Sequence, residues 1–179
     1  MDQNPWLAVT QGQALRFFFE HLRDVTEDRG VPESELLYNA SVLAHFATTS
    51  TATPDFPNTP ATLGTVFDLF VLDRSQHGDP EIMEAAASQC LLLTGFFGAQ
   101  LRRRHNLAWY ASLGASFYDQ ASHAGADRAR LTQANADRER ANMMHAMAVR
   151  FAFWRRQQAR LAKELHDLPL MFGRMHQKP

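Results

Sequence analysis

Three consecutive arginines, Arg102, Arg103 and Arg104, are the residues of this chain best suited to bind an anion. A guanidinium group donates two parallel hydrogen bonds to a carboxylate or a phosphate. The run precedes a segment with helical periodicity, and the start of a helix carries partial positive charge that disfavours cations. We therefore expect these side chains to have carboxylate or phosphate partners, and we favour an acid of the same chain over an external ligand.

Aromatic residues follow the arginines on what the sequence predicts to be a buried central helix. At 100° per residue, residues 107–123 place apolar side chains over most of the helix surface and polar ones in one narrow arc. Gly114 lies in the middle of this helix, where it predicts a close crossing with a neighbour. Aromatic residues also dominate ligand pockets, so Trp109, Tyr110 and Tyr118 alternatively line a cavity for a small molecule or cofactor.

Residue types that bind metals or act as nucleophiles lack the spacing that such sites require. None of the eight histidines belongs to an H-E-x-x-H or E-x-x-H motif, and Cys90 is the single cysteine. Glu81 and Glu84 fall in a predicted first helical turn, where acids are stabilising without a metal. We therefore predict no catalytic residue, no metal and no cofactor, although a catalytic site built from distant residues would leave no such motif.

A second candidate surface lies near the C-terminus. Residues 127–166 contain neither glycine nor proline, which predicts one long helix, either straight or bent near Asn135. Val149 and Phe153 lie four apart on a face away from its predicted core stripe, and Arg156 and Arg160 continue that face. Arginine and aromatic residues are enriched at protein interfaces. We expect this strip to be covered either by a second copy of the chain, in a homodimer, or by another helix of the same chain.

The spacing L-x3-GFF-x5-RR, followed by Y-x2-LG-x-S-x-Y, resembles an uncharacterised family of bacterial all-helical proteins. The matching positions are Leu91, Gly95, Phe96, Phe97, Arg103, Arg104, Tyr110, Leu113, Gly114, Ser116 and Tyr118. Members of that family often carry proline after the Phe pair, where this chain has Gly98. The resemblance implies an all-helical bacterial protein and lends no activity.

The charges of the chain are divided between its halves. Residues 1–90 hold thirteen acidic and four basic side chains, a net charge of −9, whereas residues 91–179 hold six and fourteen, a net charge of +8. We expect the two halves to pack against each other and neutralise one another. The alternative is a basic face that binds nucleic acid.

The order of the elements predicts an all-α bundle of about six helices in a single domain, residues 1–179. Apolar residues at helical spacing, with capping and breaking residues between them, divide the chain into segments. The expected helices cover about 6–28, 32–48, 60–75 and 80–94, then a short helix leading to the arginines, the central helix 107–123 and the long helix 127–166. A break falls at 123–125, and residues 169–179 form a tail.

The composition is that of an ordinary globular protein, with 45% hydrophobic and 21% charged residues. No apolar run is long enough to span a membrane, and the N-terminus lacks the pattern of a signal peptide, so we expect a cytoplasmic protein.

Three functions fit the sequence. We favour a non-catalytic helical protein that binds other proteins and associates with itself. The alternatives are a small-molecule or cofactor binder with a pocket beside the central helix, and a nucleic-acid binder.

Overall fold

A computed structural model describes residues 11–52 and 78–166, and within these ranges the chain forms seven α-helices and no β-strand. The all-α fold class expected from the sequence is therefore confirmed. The helices are α1 (Gln11–Thr26), α2 (Glu33–Ala52), α3 (Pro80–Thr94), α4 (Gly98–Leu101), α5 (Leu107–Thr132), α6 (Asn135–Val149) and α7 (Phe151–His166). The helix predicted at 60–75, residues 6–10 of the predicted first helix and the predicted tail 169–179 lie outside the described residues.

One contiguous hydrophobic core joins the helices of the described chain. Its buried residues come from α1, α2, α3, α5, α6 and α7. The bulkiest fully buried side chains are Trp154, Tyr118, Phe117, Leu22, Leu43, Met83 and Leu91. The central helix expected around residues 107–123 is therefore buried as predicted, and it forms the first part of α5.

Gly114 lies at the closest approach of α5 to its neighbours. A Cβ atom at this position would lie 2.6 Å from Cβ of Cys90 in α3 and 2.6 Å from Cζ of Phe151 in α7. Both distances are too short for real contacts, so only glycine fits without a shift of the helices. The close crossing predicted at this residue is confirmed.

The helix break predicted at residues 123–125 is wrong, because α5 continues through Gly125 to Thr132. The glycine meets α6 instead of ending the helix: a Cβ atom at Gly125 would lie 3.3 Å from Cβ of Ala141. Close packing of α5 on α6 compensates for the weak helix propensity of glycine.

The single long helix predicted for residues 127–166 is also wrong. Gln133 takes the left-handed conformation with φ of 55° and ends α5. The Thr132 hydroxyl then donates to Asp137 Oδ2 at 3.0 Å, which stabilises the turn into α6. A second interruption falls at Arg150, where φ is −102° and ψ is 17°. Residues 133–134 therefore let α6 fold back on α5. The sequence did not predict this reversal, because the segment contains no glycine or proline to indicate the end of a helix.

Two further expectations concern helix ends. Asp79 caps α3 at the start of the range expected for this helix, because its Oδ1 accepts hydrogen bonds from the backbone N–H groups of Glu81 at 2.9 Å and Ile82 at 3.2 Å. The second helix was expected to end at residue 48, but α2 continues to Ala52.

Candidate interaction site

The three arginines lie in an ordered turn between α4 and α5, which we call the basic turn (Arg102–Arg104). The Arg102 N–H donates to the Gly98 carbonyl at 3.0 Å, and the Arg104 N–H donates to the Leu101 carbonyl at 3.0 Å. Leu101 is buried and packs with Leu93 and Leu107 in a small apolar cluster beneath the turn. The cluster fixes the backbone, while all three arginine side chains are exposed.

The basic turn has no carboxylate partner among the described residues, so the acid of the same chain that we expected there is not found in that part of the protein. The three guanidinium groups also precede the 26-residue helix α5, whose first turn carries partial positive charge. The described residues therefore hold three neighbouring cations at an unfavourable place, without an anion to offset them.

Aromatic residues lie beside the basic turn, at the start of α5. Asn106 caps the helix by accepting the Trp109 N–H at 3.2 Å. The Trp109 side chain is 41% exposed, and its ring centroid lies 4.8 Å from that of Tyr110. His105 packs edge-on against Tyr110 at 6.3 Å, and its buried Nε2 has no hydrogen-bond partner in the described chain. The turn therefore combines exposed positive charge with accessible aromatic surface.

Tyr118 does not belong to this site, contrary to the pocket that we considered for Trp109, Tyr110 and Tyr118. Its side chain is fully buried, and its hydroxyl closes a ring of three hydrogen-bonded hydroxyls with Tyr38 and Ser88. Burial is the main reason that the pKa values of Tyr38 and Tyr118 lie well above the ordinary value of a phenol. Both phenols stay protonated at neutral pH and tie α2, α3 and α5 together.

The strip predicted from Val149, Phe153, Arg156 and Arg160 is not continuous. Val149 is 70% exposed at the end of α6, but Phe153 belongs to α7 and is half-buried. The Arg150 guanidinium lies 4.7 Å from the centroid of the Phe153 ring. Part of the predicted apolar strip is thus covered by the same chain, and self-association through it stays a prediction.

The two arginines at the end of that strip differ. Both are exposed, but Arg160 donates to the Val25 carbonyl at 3.1 Å and so attaches α7 to the end of α1. Only Arg156 extends the accessible surface of the strip without a hydrogen bond to a neighbouring helix in the described chain.

Within residues 11–52 and 78–166, ion pairs connect the acidic and basic halves at three places, as the charge division predicts. Arg128 Nη2 lies 3.0 Å from Glu81 Oε2, and Arg140 Nε lies 2.7 Å from Glu84 Oε2. The third pair joins Arg150 and Glu35. The hydrogen bond from Arg128 lowers the pKa of the Glu81 carboxyl to about 2. These three arginines are therefore engaged within the chain, unlike those of the basic turn.

A buried polar network that the sequence pattern did not predict joins α2 to α6 and α7. Glu35 is 5% exposed and accepts a 2.7 Å hydrogen bond from Trp154 Nε1 as well as one from Arg150. Nearby, Gln158 Nε2 donates to Asn39 Oδ1 at 3.2 Å. The sequence carries one signal for this network. Glu35 and Asn39 are four residues apart and therefore share one face of α2, next to its apolar positions.

Other chemistry has little support in the described residues. These residues contain no group of three or more His, Cys, Asp or Glu placed to hold a metal ion. Cys90 is buried, which raises the pKa of its thiol to about 12 and leaves almost no thiolate at neutral pH. None of the described helices is long and apolar enough to cross a membrane.

Comparison of the chain with protein-family models, curated proteins and solved structures found no match. The resemblance to a bacterial helical family therefore stays a prediction.

Proposed function

We propose that this protein is a non-catalytic helical interaction protein that docks an acidic segment of a protein partner on its basic turn. The observation that carries the proposal is the exposure of Arg102, Arg103 and Arg104 without an ion pair in the described chain. The arginines that face the acidic half are paired with Glu81, Glu84 and Glu35 in the same protein. Among the described residues, the basic turn is thus a place where three consecutive unpaired cations are available to a partner.

The electrostatics of the turn favour an external anion. Two unit charges about 4 Å apart interact by about 1 kcal/mol in water and by more near a protein surface. Three adjacent guanidinium groups and the start of α5 therefore repel one another, and an anion that bridges them relieves this repulsion. Each guanidinium can bind both oxygens of a carboxylate. Because Leu101 anchors the turn in a buried cluster, little backbone conformational entropy is lost when a partner binds.

The half-exposed Trp109 favours a peptide as the partner. Tryptophan and arginine are the residues most enriched among the energetically dominant contacts of protein interfaces. A peptide with acidic and apolar residues would use both parts of the surface. A groove that follows a nucleic-acid backbone needs a longer basic track, and Arg128, Arg140 and Arg150 do not contribute to one because acids of the chain neutralise them.

Binding of a fluorescent glutamate-rich peptide, measured by anisotropy at low salt, tests the proposal. The test variant carries Arg102→Gln, Arg103→Gln and Arg104→Gln. The control carries Arg130→Gln, Arg138→Gln and Arg156→Gln, three exposed arginines elsewhere, so both variants lose the same charge. We expect about a tenfold or greater loss of affinity in the test variant and less than about a twofold change in the control.

Two results would contradict the proposal. Equal losses in the two triple variants would show that the peptide responds to net charge and not to a site. A single-stranded oligonucleotide of matched charge that binds the wild type more tightly than the peptide does would replace the acidic partner with a nucleic acid.

A further inference from the structure

The connection between α1 and α2 exposes a group of acids that we call the acidic turn (Asp24, Glu27, Asp28 and Glu33). All four side chains are exposed, and none makes an ion pair among the described residues. Arg23 in the last turn of α1 and Arg29 in the connection offset part of the charge, so the acids outnumber the bases by two over residues 23–33.

The acidic turn is as ordered as the basic turn. Residues Glu27–Arg29 form a 3-10 turn that ends at Gly30 in the left-handed conformation. The buried Thr26 hydroxyl donates to the Leu22 carbonyl at 2.7 Å and so holds the start of the turn on α1. The charges of both turns are therefore presented on fixed backbone, which lowers the entropy lost on docking.

Two groups of charges in the described chain differ in their pairing. Acids that face the second half of their own chain, namely Glu35, Glu81 and Glu84, are paired with arginines. The acidic turn and the basic turn have no such pairing. Opposite unpaired charges that are both exposed are complementary between two copies of the chain, whose small net charge of −1 produces little overall repulsion.

We propose that the acidic partner of the basic turn is a second copy of this chain. In a two-fold dimer the acidic turn of each copy contacts the basic turn of the other, so the contact is made twice. The Trp109 surface beside the basic turn lies at the same interface. This inference rests on the proposed function, because it names the partner of the site described there.

Charge reversal tests the inference directly. One variant carries Arg102→Glu, Arg103→Glu and Arg104→Glu, and the other carries Asp24→Lys, Glu27→Lys and Asp28→Lys. Each variant alone would place like charges at both contacts and should be monomeric in light scattering. An equimolar mixture restores opposite charges at both contacts and should be dimeric. A control with Asp127→Arg and Arg130→Asp, which exchanges an exposed pair within one copy, should dimerise like the wild type.

Salt gives an independent readout. Contacts between exposed charges are screened, so the dimer dissociation constant should rise about tenfold or more between about 0.05 M and about 0.5 M NaCl. Circular dichroism of each variant checks that it is folded. Recovery of the dimer in the equimolar mixture is a second check, because an unfolded variant would not dimerise.

A wild type that stays monomeric at low salt overturns the inference, and so does a mixture that fails to recover. If both charge-reversal variants remain dimeric, the inference is also overturned. The interface then lies elsewhere, for example at the surface around Val149. The proposed function is judged separately: a monomeric protein whose basic turn still binds the glutamate-rich peptide has an acidic partner other than itself. Failure of the peptide to bind a protein that is also monomeric removes both proposals.

Discussion

Glu35 and Arg150 are 115 positions apart in the sequence, and a carboxylate oxygen of the first lies 3.0 Å from a guanidinium nitrogen of the second. The arginine side chain is 29% exposed and that of the glutamate 6%, so this pair is far less hydrated than the other described ion pairs. Arg150 also separates α6 from α7 and covers Phe153. The contact therefore fixes the joint between the two C-terminal helices against α2.

Glu35→Ala should destabilise the protein by about 2–4 kcal/mol, because it leaves Arg150 without its acid and the buried Trp154 N–H without an acceptor. Urea denaturation followed by circular dichroism measures the change. Glu20→Ala is the control, since the Arg16–Glu20 pair is largely exposed and its loss should leave the stability nearly unchanged. Equal effects of the two substitutions would show that the Glu35 contact is not a structural anchor.

Gly114→Ala and Gly125→Ala form a matched pair, because both glycines lie inside α5. By propensity alone each substitution should stabilise the helix by up to about 1 kcal/mol. At Gly114 the new methyl group would lie 2.6 Å from Cys90 Cβ, so we expect a net loss of about 1–3 kcal/mol from overpacking. At Gly125 the nearest atom is 3.3 Å away, and the net change should stay within about 1 kcal/mol. An unchanged denaturation midpoint for Gly114→Ala would contradict the close crossing.

These two glycines show how far the sequence determines the fold. The period of apolar residues identified the buried first part of α5, and the cost of glycine inside a helix identified the crossing at Gly114. The same reasoning failed at Gly125, because propensity alone does not distinguish a glycine that ends a helix from one that admits a neighbour. It failed again at Gln133, a residue whose left-handed conformation has no glycine or asparagine signal.

The residues of the candidate site were predictable from the sequence, but their surroundings were not. The run Arg102–Arg104 is visible in the sequence, and the exposure of its side chains is not. Tyr110 and Tyr118 are both tyrosines of α5. The hydroxyl of Tyr118 is nevertheless buried with those of Tyr38 and Ser88, which come from other helices. Which arginines find acids of the same chain depends on the packing of distant segments, and helical periodicity does not supply that information.

The Glu81–Arg128 pair should make a small contribution to stability that is lost in acid. Its hydrogen bond from Arg128 lowers the folded-state pKa of Glu81 from 4.5 to about 2. A depressed carboxyl pKa stabilises the fold above the unfolded-state value, and the contribution disappears as the pH falls from about 4.5 towards about 2. Both side chains are roughly half exposed, so solvent screening limits the effect to less than about 1 kcal/mol.

Glu81→Gln checks this prediction. The stability difference between wild type and variant, measured in urea, should be largest near neutral pH and shrink as the pH is lowered below the unfolded-state pKa. A difference that grows in acid would have the wrong sign and would exclude this pair as its source.

Cys90 should be unreactive in the folded protein. Burial raises the pKa of its thiol from 9.0 to about 12, which lowers the thiolate fraction at neutral pH about a thousandfold before access is considered. Iodoacetamide should therefore label the native protein far more slowly than the same protein in urea, as followed by mass spectrometry. Labelling at similar rates in both states would place Cys90 outside the core.

Tyr118→Phe should cost about 1–2 kcal/mol, because it removes one member of a hydroxyl ring whose other members are buried or partly buried. In the ring each hydroxyl donates one hydrogen bond and accepts one, so the loss of any member opens it and leaves the other two with a single bond between them. The effects of Tyr118→Phe and Ser88→Ala should therefore not add. We expect the double variant to be more stable than the sum of the single losses predicts, by about 0.5 kcal/mol or more. Urea denaturation of the four proteins measures this coupling, and strictly additive losses would show that the three hydroxyls do not act as one hydrogen-bonded unit.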